Sequence, residues 1–169
     1  GMGYHRGDSF EEIVNWSNQA YKNKNIALIQ KIATPMKPMR RGSQIVGAYY
    51  EEKSTLDYIG VYQGVPVAFD AKETQEEDKF PLKNVKQHQI DFIKEWAQYG
   101  GKAFLLVHFL KANKVYRLDN MTLDWYWQQH IKHPGVKGFH NVPLSEFVMN
   151  CKEIKSRDSI PLDYLEELI

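Results

Sequence analysis

Ser54-Thr55-Leu56-Asp57-Tyr58-Ile59-Gly60 and Ala68-Phe69-Asp70-Ala71-Lys72-Glu73-Thr74 flank the dipeptide Gln63-Gly64. The whole stretch reads as two strands joined by a tight turn. Counting outward from the turn, Tyr62 meets Val65 and, in the same register, Asp57 meets Asp70. Two carboxylates then oppose each other at about 5 Å between Cβ atoms, an arrangement that destabilises a sheet unless something offsets the charge. A divalent cation would do so, because Mg²⁺ takes one or two carboxylates with water and phosphate oxygens. Lys72, two residues beyond Asp70, points to the same face. Two acids and an amine on one face suit metal-assisted phosphodiester hydrolysis. A two- or four-residue loop at Gln63-Gly64 keeps Asp57 opposite Asp70, whereas a three-residue loop shifts the pairing by one.

Working outward, Ser9 or Asp8 can cap a helix, with Glu12 completing a capping box. Phe10, Ile13, Val14 and Tyr21 fall near helical spacing. Glu11 and Glu12 stand in the first turn, where the helix dipole favours carboxylates. Capping already accounts for Glu12, so Glu11 is the better candidate for a third acid. A strand is expected over 26–33. The segment 34–44 holds Pro35, Pro38 and Gly42 with Lys37, Arg40 and Arg41, and reads as a projecting basic loop. Strands are expected at 44–52, 103–110 and 114–118. Helices are expected at 83–99, 120–130, 143–151 and 161–169. Gly100-Gly101 mark the stop of the second helix. The order αβββαβ, with helices on a central mixed sheet, describes an α/β domain, and the expectation is a single domain over 3–169.

With 169 residues and a net charge of +1, composition is that of an ordinary globular chain. Cys151 is the only cysteine, which excludes an internal disulfide and argues against a cysteine zinc site. The longest apolar run, 103–110, is too short to span a bilayer. No signal-peptide pattern opens the sequence, and a cytoplasmic setting is expected. From Lys22 to Arg41 six basic residues occur without an acid, a local charge that suits phosphate contacts or a solvated face equally.

The pattern Asp/Glu-x-Lys is weak by itself, since it occurs four times, at Glu51, Asp70, Glu77 and Glu153. Only the Asp70 copy follows an apolar strand and has a partner acid across a short turn. The Glu51–Lys53 copy sits at a strand end without such a partner. His130, His133 and His140 invite a zinc reading, but Pro134 and Gly135 end their helix at once, which favours surface or DNA-facing histidines. Trp96, Trp125 and Trp127 fit core or subunit packing.

Taken in order, Arg6-Gly7, Glu11-Glu12, Thr34-Pro35, Ser54-Thr55-Leu56-Asp57-Tyr58, Gly60-Val61-Tyr62, Phe69-Asp70-Ala71-Lys72-Glu73-Thr74, Phe80-Pro81-Leu82 and His88-Gln89-Ile90 resemble RecU-type Holliday junction resolvases of the PD-(D/E)xK nuclease superfamily. The resemblance runs from Arg6 to about Leu118. It implies a restriction-endonuclease-like core and a homodimer that cuts four-way DNA junctions with Mg²⁺ or Mn²⁺. It further implies Asp57 and Asp70, with the Ala71 carbonyl, as metal ligands and Lys72 as the catalytic lysine. Glu11 matches the helix-borne acid and Gln89 a glutamine beside the site. Lys37, Arg40 and Arg41 would touch phosphates. Two departures stand out: Asp70 where the family usually has Glu, and a short region between Pro35 and Ser54, as in a phage-type or diverged member. The expected role is junction resolution in recombination and repair, nucleoid-associated, with a recombinase as a possible partner. The alternatives are a nuclease of the same fold acting on other DNA, and a module that grips branched DNA or a recombinase without cutting.

Overall fold

The computed structural model describes residues 8–169; Arg6 and Gly7 of the motif series lie outside the described residues. Helix α1 (Phe10–Asn23) starts as the capping box requires, with the Ser9 hydroxyl accepting from the Glu12 N–H at 3.1 Å. Its buried residues include Phe10, Ile13, Val14 and Tyr21, which turns one face to the core. Strand β1 (Ala27–Lys31) follows, then β2 (Met36–Arg41) and β3 (Gln44–Tyr50), then β4 (Tyr58–Tyr62) and β5 (Val65–Thr74). A short β6 (Lys79–Pro81) leads through a 3₁₀ turn to α2 (Gln87–Gln98). Strands β7 (Lys102–Phe109) and β8 (Lys114–Asp119), helix α3 (Asn120–Lys132), β9 (Asn141–Pro143), α4 (Leu144–Asn150) and β10 (Lys152–Ile154) complete the chain.

Six strands form the main sheet in the order β1-β4-β5-β7-β8-β10. Only β5 and β7 pair in parallel, joined by the α2 crossover, so the sheet is mixed. Strand β7 is buried on both faces, as its unbroken apolar run foretells. Leu105 and Val107 pack with Ile90, Ile93, Leu123 and Phe147 on the side of α2, α3 and α4. Phe104 and Leu106 pack with Ile13, Tyr21 and Tyr164 on the side of α1. This mixed sheet between helices is the restriction-endonuclease-like architecture that the motif series implied. Among the described residues no helix is long and apolar enough to cross a membrane.

Two expectations about local structure need correction. The segment 34–44 is not a loop: β2 and β3 form a separate two-stranded ribbon, turned at Gly42 (φ 63°) and with almost every residue exposed. Proline excludes helix and a central strand, but a two-stranded ribbon is all edge, where a missing N–H costs nothing. Pro38 sits there opposite Ala48, next to a bulge at Met39/Arg40. The C-terminal 161–169 is not a helix. Its backbone is satisfied from α1 instead: Leu162 N–H donates to Ser17 Oγ at 2.9 Å and Leu165 N–H to Tyr21 Oη at 3.1 Å. Side chains of another element have replaced the helical i→i−4 bonds.

Candidate active site

The β4–β5 turn sets the register of everything at its far end. Gln63 (φ 50°) and Gly64 (φ 78°) both take the left-handed conformation of a two-residue hairpin turn. Tyr62 therefore pairs with Val65 and Tyr58 with Phe69, which carries Asp57 to Asp70. There the Asp57 N–H donates to Asp70 Oδ1 at 2.6 Å. The side chain of Asp70 is only 2% exposed. Burial chiefly, and the neighbouring Asp57 charge next, raise its pKa, opposed by the Asp57 N–H and by Lys72.

Lys72 lies on the same strand face, with Nζ 3.5 Å from Asp70 Oδ2. Gln89, in the first turn of α2, holds both groups. Its Nε2 donates to Asp70 Oδ2 at 2.7 Å, while its Oε1 accepts from Lys72 Nζ at 3.2 Å and from the Lys86 N–H at 3.0 Å. Two donors on Oε1 fix the orientation of the amide. Asp57, Asp70, Lys72 and Gln89 are thus brought together.

Glu11 is not joined to the two aspartates: its carboxylate pairs with Lys31. It lines a cleft of about 270 Å³ together with Lys31, Lys53, Asp57, Ala71 and Glu73, a lining that takes in Asp57 but not Asp70 or Lys72. Among the described residues no three His, Cys, Asp or Glu side chains are arranged to hold one ion. A cation here would rest on Asp57, Asp70 and the Ala71 carbonyl, all hard oxygens. Two carboxylates are enough for Mg²⁺, which keeps several waters. The strain of a buried, raised Asp70 beside a second acid is what such an ion would relieve, so the donor set fits. Lys37, Arg40 and Arg41 sit on the exposed ribbon, where Lys37 pairs with Glu51 at 3.8 Å.

One residue was passed over on sequence pattern. Lys53 Nζ donates to Asp57 Oδ1 at 2.6 Å, with its side chain only 15% exposed. Its four-residue spacing from Asp57 was the available signal, hidden because the intervening segment is irregular. His88, in the first turn of α2, pairs with Glu52. His130 Nδ1 faces the Phe139 carbonyl at 3.0 Å and His140 Nδ1 at 3.4 Å. Of the three tryptophans assigned to packing from the sequence, Trp127 is buried, Trp96 is half-buried against the core, and Trp125 is exposed. A larger cavity, about 1050 Å³, opens beside Gln63 at the opposite end of the hairpin and does not include the two aspartates.

A family model described as Recombination protein U matches residues 5–169. A Holliday junction resolvase RecU of Pediococcus pentosaceus is 40% identical over 167 residues, covering 95% of this chain and 81% of that protein. The protein of the same name from Lactococcus lactis is 35% identical, covering 95% and 76%. That from Lactiplantibacillus plantarum is 34% identical, covering 96% and 80%.

Proposed function

Because the chain belongs to the Recombination protein U family, we propose that it is a Mg²⁺-dependent endonuclease that resolves four-way DNA junctions by phosphodiester hydrolysis. The relatives' names supply the substrate class. The observation that carries the chemistry is the Asp57–Asp70–Lys72–Gln89 network, in which one amide holds a buried acid and an ammonium, and the second acid joins through its backbone N–H. Asp57, Asp70 and the Ala71 carbonyl would hold the ion, which Mn²⁺ could replace. When bound, it supplies an acidified water and polarises the scissile phosphate.

Lys72 offsets charge that builds on the phosphoryl oxygens. Gln89 keeps that ammonium aimed by accepting from it while donating to Asp70, so neither group needs to reorganise. Glu11 stands at the cleft rim with Lys31, where it can orient water. On the ribbon, Lys37, Arg40 and Arg41 contact phosphates, adding affinity without base readout. Hydrolysis on this plan leaves a 5′-phosphate and a 3′-hydroxyl. A homodimer would present two such sites to opposed strands, and the protein would act in the cytoplasm on the nucleoid.

A mobile four-way junction and a linear duplex, each incubated with Mg²⁺ or with EDTA, test this reading. Paired nicks in the junction alone, lost in EDTA, are expected. Cutting of both substrates would move the function to another DNA, and tight binding without products would make the protein a binding module. Asp57→Asn should abolish nicking and leave junction binding intact; nicking at the normal rate would overturn the site.

A further inference from the structure

Each of the two aspartates already has its own cation. Lys72 lies beside Asp70 and is also held by Gln89. Lys53 lies on Asp57, in a charge-assisted hydrogen bond of the stronger kind. The second ammonium is delivered by a braced segment rather than by a free side chain. Glu51, Glu52 and Lys53 are consecutive as the chain leaves the ribbon. Glu51 pairs back to Lys37 on β2, Glu52 pairs with His88 on α2, and Lys53 turns inward to Asp57. Asp57 is the more open of the two acids, its side chain 37% exposed toward the cleft.

The two ammonium groups offset the charge of the two aspartates and so weaken the pull of this pair on a divalent ion, although Glu11 and Glu73 also line the cleft, with Lys31 beside them. Lys72 cannot be the one to yield, since Gln89 and Asp70 hold it from two sides. Among the described residues Lys53 meets one acceptor, Asp57, and it faces a cleft.

We propose that Lys53 is a built-in counter-cation for Asp57, a positioning residue that must leave this carboxylate before a divalent ion can use it. The inference rests on the metal reading of Asp57 and Asp70 given above. It means that the DNA-free site binds the ion weakly. Once released, the Lys53 ammonium stands in the cleft beside Lys31, where an incoming phosphate is its natural acceptor. Substrate arrival and ion binding are thereby coupled, and each favours the other to the same extent.

The test is Mn²⁺ binding to the full chain without DNA, followed by electron paramagnetic resonance of the free ion. Lys53→Met should lower the Mn²⁺ dissociation constant about tenfold or more, because a unit charge within a few ångströms of a divalent ion is removed. Lys53→Gln keeps a donor for Asp57 without the charge and should tighten binding as well. Lys53→Arg should bind as weakly as the parent, and Lys155→Met, which removes an exposed lysine paired with Glu153 on β10, should change nothing. Unchanged or weaker binding in both Lys53→Met and Lys53→Gln would overturn the proposal. Asp57→Asn separates the premise from the inference: it should lose the ion, and parental affinity in that variant would sink the metal reading itself. Thermal melting adds a readout that a bracing role would not move. Lys53→Met should melt lower than the parent without metal, yet gain more from saturating Mn²⁺.

Discussion

At the scale of single residues, Gln89 has the most demanding position. One amide satisfies a buried carboxylate, an ammonium and a helix N-terminal N–H. Alanine there would take the amide donor from Asp70 Oδ2 in a place water reaches poorly, leaving that oxygen to Lys72 at 3.5 Å, a loss of about 1–3 kcal/mol for a buried polar group. Gln89→Ala is therefore expected to lower the melting temperature by several degrees and to reduce junction nicking by roughly 10–100-fold, the usual range for a group that orients a metal ligand. Calorimetry and nicking rates under saturating Mg²⁺ check the two effects separately. Asp57, Asp70 and Lys72 were legible in the sequence because a strand repeats every two residues and a two-residue turn has one register. Lys53 was not, because its approach to Asp57 depends on the path of residues 51–57, which follow no regular period.

At the scale of elements, most of the fold was legible wherever burial enforces a pattern. Helix α1 and strand β7 lie within a residue or two of expectation, since a capping box and an unbroken apolar run each admit one reading. The ribbon was misread because it buries so little: β2 has no buried residue, so nothing in its sequence alternates between an inside and an outside. Its basic side chains lead to a prediction of a different kind from that at the site. Replacing Lys37, Arg40 and Arg41 together by Gln should weaken junction binding and reduce the slope of log affinity against log salt by up to about three. The melting temperature and the nicking rate of bound junction should stay close to parental values. Binding isotherms across a salt series would show it, and an unchanged slope would remove these residues from the DNA surface.

At the scale of the whole molecule, helix α1 and the C-terminal segment close on each other. Tyr21 Oη donates to Asp163 Oδ1 at 2.7 Å and accepts from the Leu165 N–H, while the Tyr164 hydroxyl reaches Asn18. Arg117 on β8 adds donors to the Tyr164 and Glu166 carbonyls at 2.8 and 2.7 Å. A helix was expected over these last residues; Leu162 and Leu165 are buried there all the same, from an irregular segment. Tyr21→Phe takes the donor from Asp163 Oδ1 and the acceptor from the Leu165 N–H, so a loss of about 1–3 kcal/mol is expected in urea unfolding. Burial first, and the bond to Asp163 second, push the Tyr21 phenol well above its ordinary pKa of about 10. The fold thus favours the protonated phenol. That contribution is complete below pH 10 and fades as alkali ionises the unfolded chain more readily than the native one. The parent should therefore lose stability above pH 10 more steeply than Tyr21→Phe, as parallel denaturant titrations would reveal.

The Gln63-Gly64 corner has a consequence for how this chain can change length. An extra residue there would reverse which side of the sheet the following β5 side chains occupy, so the corner does not tolerate insertion. The tip at Gly42-Ser43 has no such parity to protect, and lengthening it would cost only the slow logarithmic entropy of a longer excursion. Variation in reach should accumulate at the tip, while the spacing from Asp57 to Lys72 stays constant.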